Sequence, residues 1–156
     1  MIHDLIHRKA HINDLPAIIN LLTEDDLGVL REENKQPINQ KYIDAFYKVD
    51  VDLNQYLMVI EKDNHIIGTC HLTIMPSLTF LGSIRMQIEA VRVSKQYRSQ
   101  GIGEWMINAA IDYGKSKDVS IIQLMTHKSR TRAKQFYEKL GFEASHEGMK
   151  LLLKDI

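Results

Sequence analysis

The sequence predicts an α/β or α+β fold, a mixed sheet of about six or seven strands flanked by about four helices. Three observations predict it. Runs rich in β-branched residues alternate with segments of helical spacing, turn-forming residues separate them, and a glycine pair sits where a strand gives way to a helix. The length of 156 residues is enough for one domain spanning residues 1–156 with a proper core.

Taken in order, Leu5 to Ala10 reads as a short first strand. Asn13-Asp14 then precedes Leu15, Ile18, Ile19 and Leu22, the apolar stripe of an amphipathic helix, with Pro16 in its first turn. Glu24 to Pro37 is polar and predicts a loop. Ile38 to Val49 predicts a second helix. Tyr56 to Glu61 and Ile66 to Met75 are strands joined by the Lys62-Asp63-Asn64-His65 turn. A loop from Pro76 to Ser83 carries Leu78, Phe80 and Leu81, which suggest a homodimer contact. A strand from Ile84 to Val93, a helix from Gly101 to Tyr113 and a strand from Val119 to Met125 follow. Thr131 to Leu140 predicts the last helix, stopped by Gly141, and Phe142–Ser145 and Met149–Leu153 predict closing strands.

Composition bounds the function. Hydrophobic residues make up 44% and charged residues 26%, ordinary for a globular domain. Twenty Lys plus Arg balance twenty Asp plus Glu, so the chain lacks the basic surface that nucleic-acid binding requires. No apolar run reaches the roughly 18 residues of a membrane span. His3, Asp4, His7 and Arg8 interrupt any leader-like stretch, and Cys70 has no partner for a disulfide. A cytoplasmic location without membrane or nucleic-acid partners is the expectation.

The most informative stretch is Arg98-Ser99-Gln100-Gly101-Ile102-Gly103. Glycines at a helix start let a ligand approach the backbone, where unpaired N–H groups and a partial charge of about +0.5 favour an anion such as phosphate. Arg98 adds a cation at the edge. The Walker loop is excluded because no Gly-Lys-Ser/Thr tripeptide occurs, and the dinucleotide fingerprint is excluded because Met106 stands where a third small residue belongs.

What remains, Arg-x-x-Gly-x-Gly after Glu89-Ala90-Val91-Arg92-Val93, resembles the pyrophosphate signature of the GNAT superfamily of acetyl-coenzyme A-dependent N-acetyltransferases. The run from Ala133 to Phe142, containing Phe136-Tyr137-Glu138-Lys139-Leu140-Gly141, is similar to that family's second hallmark, and the likeness extends from Leu5 to Leu153. It implies the GNAT fold, a mostly antiparallel sheet splayed between strands ending near Val93 and Thr126. It further implies transfer of an acetyl group from acetyl-CoA to a primary amine, small molecule or protein, in a ternary complex. A non-catalytic module that senses CoA or acetyl-CoA is the alternative.

The chemistry sets what such a site needs. An amine of pKa about 10.4 is neutral only about once in 2,000 molecules at pH 7, a handicap of roughly 4.6 kcal/mol. A general base offsets part of it. Glu89 is the candidate, placed by strand alternation on one face with Gln87, Val91 and Val93; the bland reading is a solvated strand carboxylate. Tyr137 is the candidate acid for the departing thiolate, although it also continues an apolar helix stripe.

The resemblance implies that the backbone of Val91 and Val93, with Arg92 between them, pairs with the pantetheine arm and that the Val91 amide aids the oxyanion. Arg98, Ser99, Gln100, Gly101, Ile102 and Gly103 would hold the pyrophosphate. Arg130 stands where many members have asparagine, and either contacts a CoA phosphate or lies in solvent. No metal is expected: His3, His7 and His11 would share a face only on one continuous helix. His127 reads as a loop histidine, Cys70 as a small core residue, and Glu24, Asp25, Asp26, Glu32 and Glu33 as a solvated charged loop.

Overall fold

The computed structural model describes residues 2–156, in two compact units that divide between Gln123 and Leu124. The first unit carries one sheet of five strands, ordered β1-β2-β3-β4-β5: Ile6–Lys9, Gln55–Lys62, His65–Met75, Ile84–Val93 and Val119–Leu124, the last of which ends one residue beyond the division. The first three neighbouring pairs are antiparallel, and β5 joins β4 after a helical crossover. The helices are α1 (Leu15–Thr23), the short α2 (Gly28–Arg31), α3 (Gln40–Asp50), the single turn α4 (Thr79–Gly82), α5 (Ile102–Ser116) and, in the second unit, α6 (Thr131–Lys139).

Local chemistry explains the boundaries. Pro16 enters α1 in its first turn, and the Asn39 side chain accepts from the Lys41 N–H to cap α3. Asp63 and Asn64 hold φ of 49° and 61°, the left-handed pair that a tight hairpin requires. Pro76–Ser83 closes through Phe80 and Leu81, also at positive φ and exposed together with Leu78.

Side-chain alternation splits the sheet's load between two faces. On one, Met58, Cys70, Leu72, Met86 and Ile88 are buried beside Met106, Ile107 and Ala110 of α5. Gly114 of α5 comes so close that a Cβ there would lie 3.1 Å from Met86 Cε, and Tyr113 stacks on Tyr56 at 4.2 Å between rings. On the other, Ala10, Leu15, Ile18, Ile19, Phe46 and Val59 form a cluster under α1 and α3.

One expectation is corrected. The sheet has five strands, not six or seven, because residues 142–156 hold neither helix nor strand. Met149, Leu151 and Leu153 remain exposed. An apolar run becomes a strand only when a partner edge takes up its N–H and C=O groups. In the second unit Gly141 does stop α6, at φ 94°, and the N–H groups of Leu140 and Phe142 both donate to the Tyr137 carbonyl.

Candidate active site

The site is built from β4 and the connection that follows it. Register shows an irregularity on this strand: Thr69 pairs Arg92 and His71 pairs Glu89, so β4 spends three steps where β3 spends two. Ala90, at φ 51°, is the extra residue. Such a bulge re-aims the side chains beyond it. The alternation expected for Glu89 therefore breaks, and its face continues through Arg92 rather than through Val91 and Val93. The Glu89 carboxylate is half-exposed, with Nδ1 of His71 at 3.7 Å.

Beyond the bulge, Val93 pairs Gly68, and the Ser94 N–H donates to the Ile67 carbonyl at 2.8 Å. β5 ends at Leu124, near the level of Gln123, whose side chain donates to Gln87 at 3.0 Å. Whereas β5 ends one residue after Gln123, the stretch of β4 from Glu89 to Val93 follows Gln87. Its backbone is the part of the sheet that could accept an extended ligand as a further strand.

The helix start that follows has the form its sequence predicts. Gly101 sits at φ 82° and ψ 0° as the cap of α5, where a side chain would be strained. The first helical bond runs from the Trp105 N–H to the Gly101 carbonyl, so the N–H groups before it face out of the helix end. Arg98 is exposed and tied down: its Nε donates to the Val93 carbonyl at 3.0 Å, and its Nη2 lies 4.0 Å from Glu24. Ser99, at φ 61°, and Gln100, bonded to the Gln96 carbonyl, complete the turn. The guanidinium of Arg92 is turned inward, 3.3 Å from Asp25 and donating to the Val91 carbonyl.

Sequence reasoning missed the function of two acidic residues. Glu24 and Asp25, at the end of α1, are bracing groups: Glu24 accepts the Lys95 N–H at 2.8 Å and Asp25 pairs with Arg92. No local pattern could reveal contacts spanning some 70 residues of chain. It also passed over His71, whose partners lie on neighbouring strands. Cys70, beside it, is fully buried, and burial pushes its thiol up to about 12, so it holds no thiolate at neutral pH.

A cavity of about 560 Å³ lies along the Ser94–Tyr97 segment, lined also by Asn20, Glu24 and His65. It contains none of the residues predicted to bind or react. The second unit has its own cleft of about 430 Å³, lined by His127, Lys128, Arg130, Thr131, Lys134 and Glu138, so Arg130 stands in a basic setting. Tyr137, also in that unit, is buried between the rings of Phe136 and Phe142, at 5.0 and 5.7 Å between centroids. Among the described residues no group of three or more His, Cys, Asp or Glu is placed to hold a metal ion, and no helix is long and apolar enough to cross a membrane.

Known proteins resemble this chain in sequence and fold. A family model described as the acetyltransferase (GNAT) family matches residues 15–142. A Bacillus subtilis (strain 168) protein, provisionally named a ribosomal protein bS18-alanine N-acetyltransferase, is 29% identical over 81% of this chain and 80% of its own. Glucosamine 6-phosphate N-acetyltransferase of Trypanosoma brucei brucei is 35% identical over 58% of this chain and 60% of its own. Among solved structures, one named as a transcriptional regulator from Bacillus halodurans C-125 superposes with a TM-score of 0.93 at 39% identity, covering 96% of this chain and 99% of that one. The strand that carries Glu89, the glycine turn and the Tyr137 helix all fall within the matched span, and the chain belongs to the acetyltransferase (GNAT) family.

Proposed function

We propose that this protein moves an acetyl group from acetyl-CoA to a primary amine within one ternary complex. The observation that carries the reading is the continuous path from the half-exposed Glu89, along the end of β4, to the outward N–H groups at Gly101–Gly103. Those N–H groups and the positive φ of Gly101 fit a diphosphate, and the cleft around Arg130 and Lys128 suits a further phosphate. The family match crosses the division at Gln123, which supports one catalytic domain.

Acetyl-CoA supplies the acyl thioester. The chain's own groups then do the rest. Val91 and Val93 offer backbone N–H and C=O groups to the extended arm. Glu89 removes the amine proton, directly or through water, and the Tyr137 hydroxyl donates to the leaving sulfur. A buried free thiol, Cys70, suits a reducing cytoplasmic compartment. The exposed Leu78, Phe80 and Leu81 are the candidate contact of a homodimer.

The acceptors named for similar proteins define a panel: an alanine-ended peptide, glucosamine 6-phosphate and, from a metagenomic aminoglycoside acetyltransferase structure solved with it, sisomicin. Thiol release from acetyl-CoA with each amine tests the reading. Turnover by wild type and its loss in Glu89→Gln and Tyr137→Phe are expected. A module that only binds would show thermal stabilisation, about 2.7 kcal/mol at a hundredfold excess over Kd, without thiol release. Full turnover in both variants overturns the assigned roles.

A further inference from the structure

His71 stands directly across from Glu89, on the same face of the sheet as Thr69 and Thr73. Its Nε2 lies 2.7 Å from Gln55 Oε1, and the Thr73 hydroxyl donates to that same oxygen at 2.9 Å. An amide oxygen only accepts, so Nε2 carries the ring hydrogen. Burial holds this imidazole below its usual value near 6.5, against the upward pull of Glu89, and its hydrogen-bond partner from β2, Gln55, is neutral. At neutral pH the ring is therefore uncharged and has a single hydrogen, already committed to Gln55.

The consequence falls on the other nitrogen. Nδ1 presents a lone pair toward the Glu89 carboxylate, 3.7 Å away, too far for a direct hydrogen bond. Two acceptors face each other with no hydrogen between them. Such a pair is satisfied by one small donor that brings two hydrogens, and a primary amine is that donor. We propose that His71 Nδ1 and the Glu89 carboxylate form a two-acceptor seat for the N–H bonds of the acceptor amine, with Gln55 and Thr73 setting the ring tautomer. The proposal rests on the reading of Glu89 as the base and adds a substrate-orienting group from β3.

Two substitutions separate the ring's two ends. His71→Gln keeps a donor for Gln55 but lacks an acceptor at the Nδ1 position, whereas His71→Asn keeps the acceptor and drops the donor. With the panel amine that turns over fastest, His71→Gln should raise the amine KM about tenfold or more. Its kcat should stay within about threefold, and KM for acetyl-CoA should not change, the pattern of lost uniform binding. His71→Asn, which restores the acceptor, should bring the amine KM back to within about threefold of the wild-type value, well below that of His71→Gln. Nitrogen-15 NMR of the unliganded wild-type imidazole should show the Nε2–H tautomer at pH 7.5, a readout independent of turnover. An unchanged amine KM in His71→Gln, or an Nδ1–H tautomer in the wild type, overturns the seat. If Glu89→Gln alone retains turnover, the base assignment fails and the seat does not.

Discussion

Cys70 and His71 are consecutive on β3, and they meet opposite environments. Cys70 joins Leu72, Met86 and Ile88 against α5, in a fully buried apolar layer. His71 joins Gln55, Thr73, Gln87 and Glu89 on the reverse face, a polar group beside the apolar cluster that contains Val59. A strand that alternates its side chains gives one set to the core against α5 and the other to the face of Glu89. The dry layer makes the polar one precise: the strand cannot slip by one residue without burying His71 and Glu89 and exposing Leu72.

Substitutions on each face should therefore register in different measurements. The largest effect belongs to the dry layer. Leu72→Ala should lower unfolding stability by about 2–5 kcal/mol in urea denaturation while the amine KM of the folded enzyme holds. Glu89→Gln should do the reverse, cutting kcat about 100-fold or more in thiol release with stability within about 0.5 kcal/mol. A comparable loss of stability in Glu89→Gln would break the division of labour.

Charge on the chemical side also contributes to stability, at Asp14. Arg8, on the α1 side of the sheet opposite Val59, bonds both Asp14 oxygens at 2.7 and 3.0 Å. Those bonds hold the carboxyl below its usual value near 3.8, against burial, and the His11 N–H helps. A depressed carboxyl stabilises the fold above its unfolded pKa and loses that stabilisation as pH falls through the folded value. Asp14→Asn should thus cost about 1–2 kcal/mol at pH 7. Its gap from wild type should close progressively below about pH 4 in acid titrations of stability.

The smallest effect sharpens the contrast between the two neighbours. Cys70→Ala should cost about 1 kcal/mol and leave thiol release unchanged. Iodoacetamide should not label the native thiol at neutral pH. Labelling together with loss of turnover would mean that β3 turns its other face to the substrate.

The glycine turn and the helix stops were legible before any fold was known, and the reason is locality. Gly101 caps α5 and Gly141 ends α6 because each needs a positive φ that few other residues tolerate, a demand written at single positions. The Asp63-Asn64 turn and the stripe of α1 are equally short-ranged. The resemblance supplied Glu89 and Tyr137 as a pair. Alternation then misassigned the companions of Glu89, since nothing in Glu89-Ala90-Val91 announces a bulge at Ala90.

By itself, then, the chain's sequence determined its five strands, its longer helices, their stops and the glycine start of α5, because these follow from the preferences of residues a few positions apart. Tertiary structure alone decided the bulge that aligns Glu89 with Arg92, the bracing of the β4–α5 connection by Glu24 and Asp25, and the meeting of His71 with Glu89. It also left the apolar run at 149–153 without a strand partner. The physical reason is common to all four. Register and cross-strand contact are set by groups distant in the chain competing for the same edge, and no local preference encodes the winner.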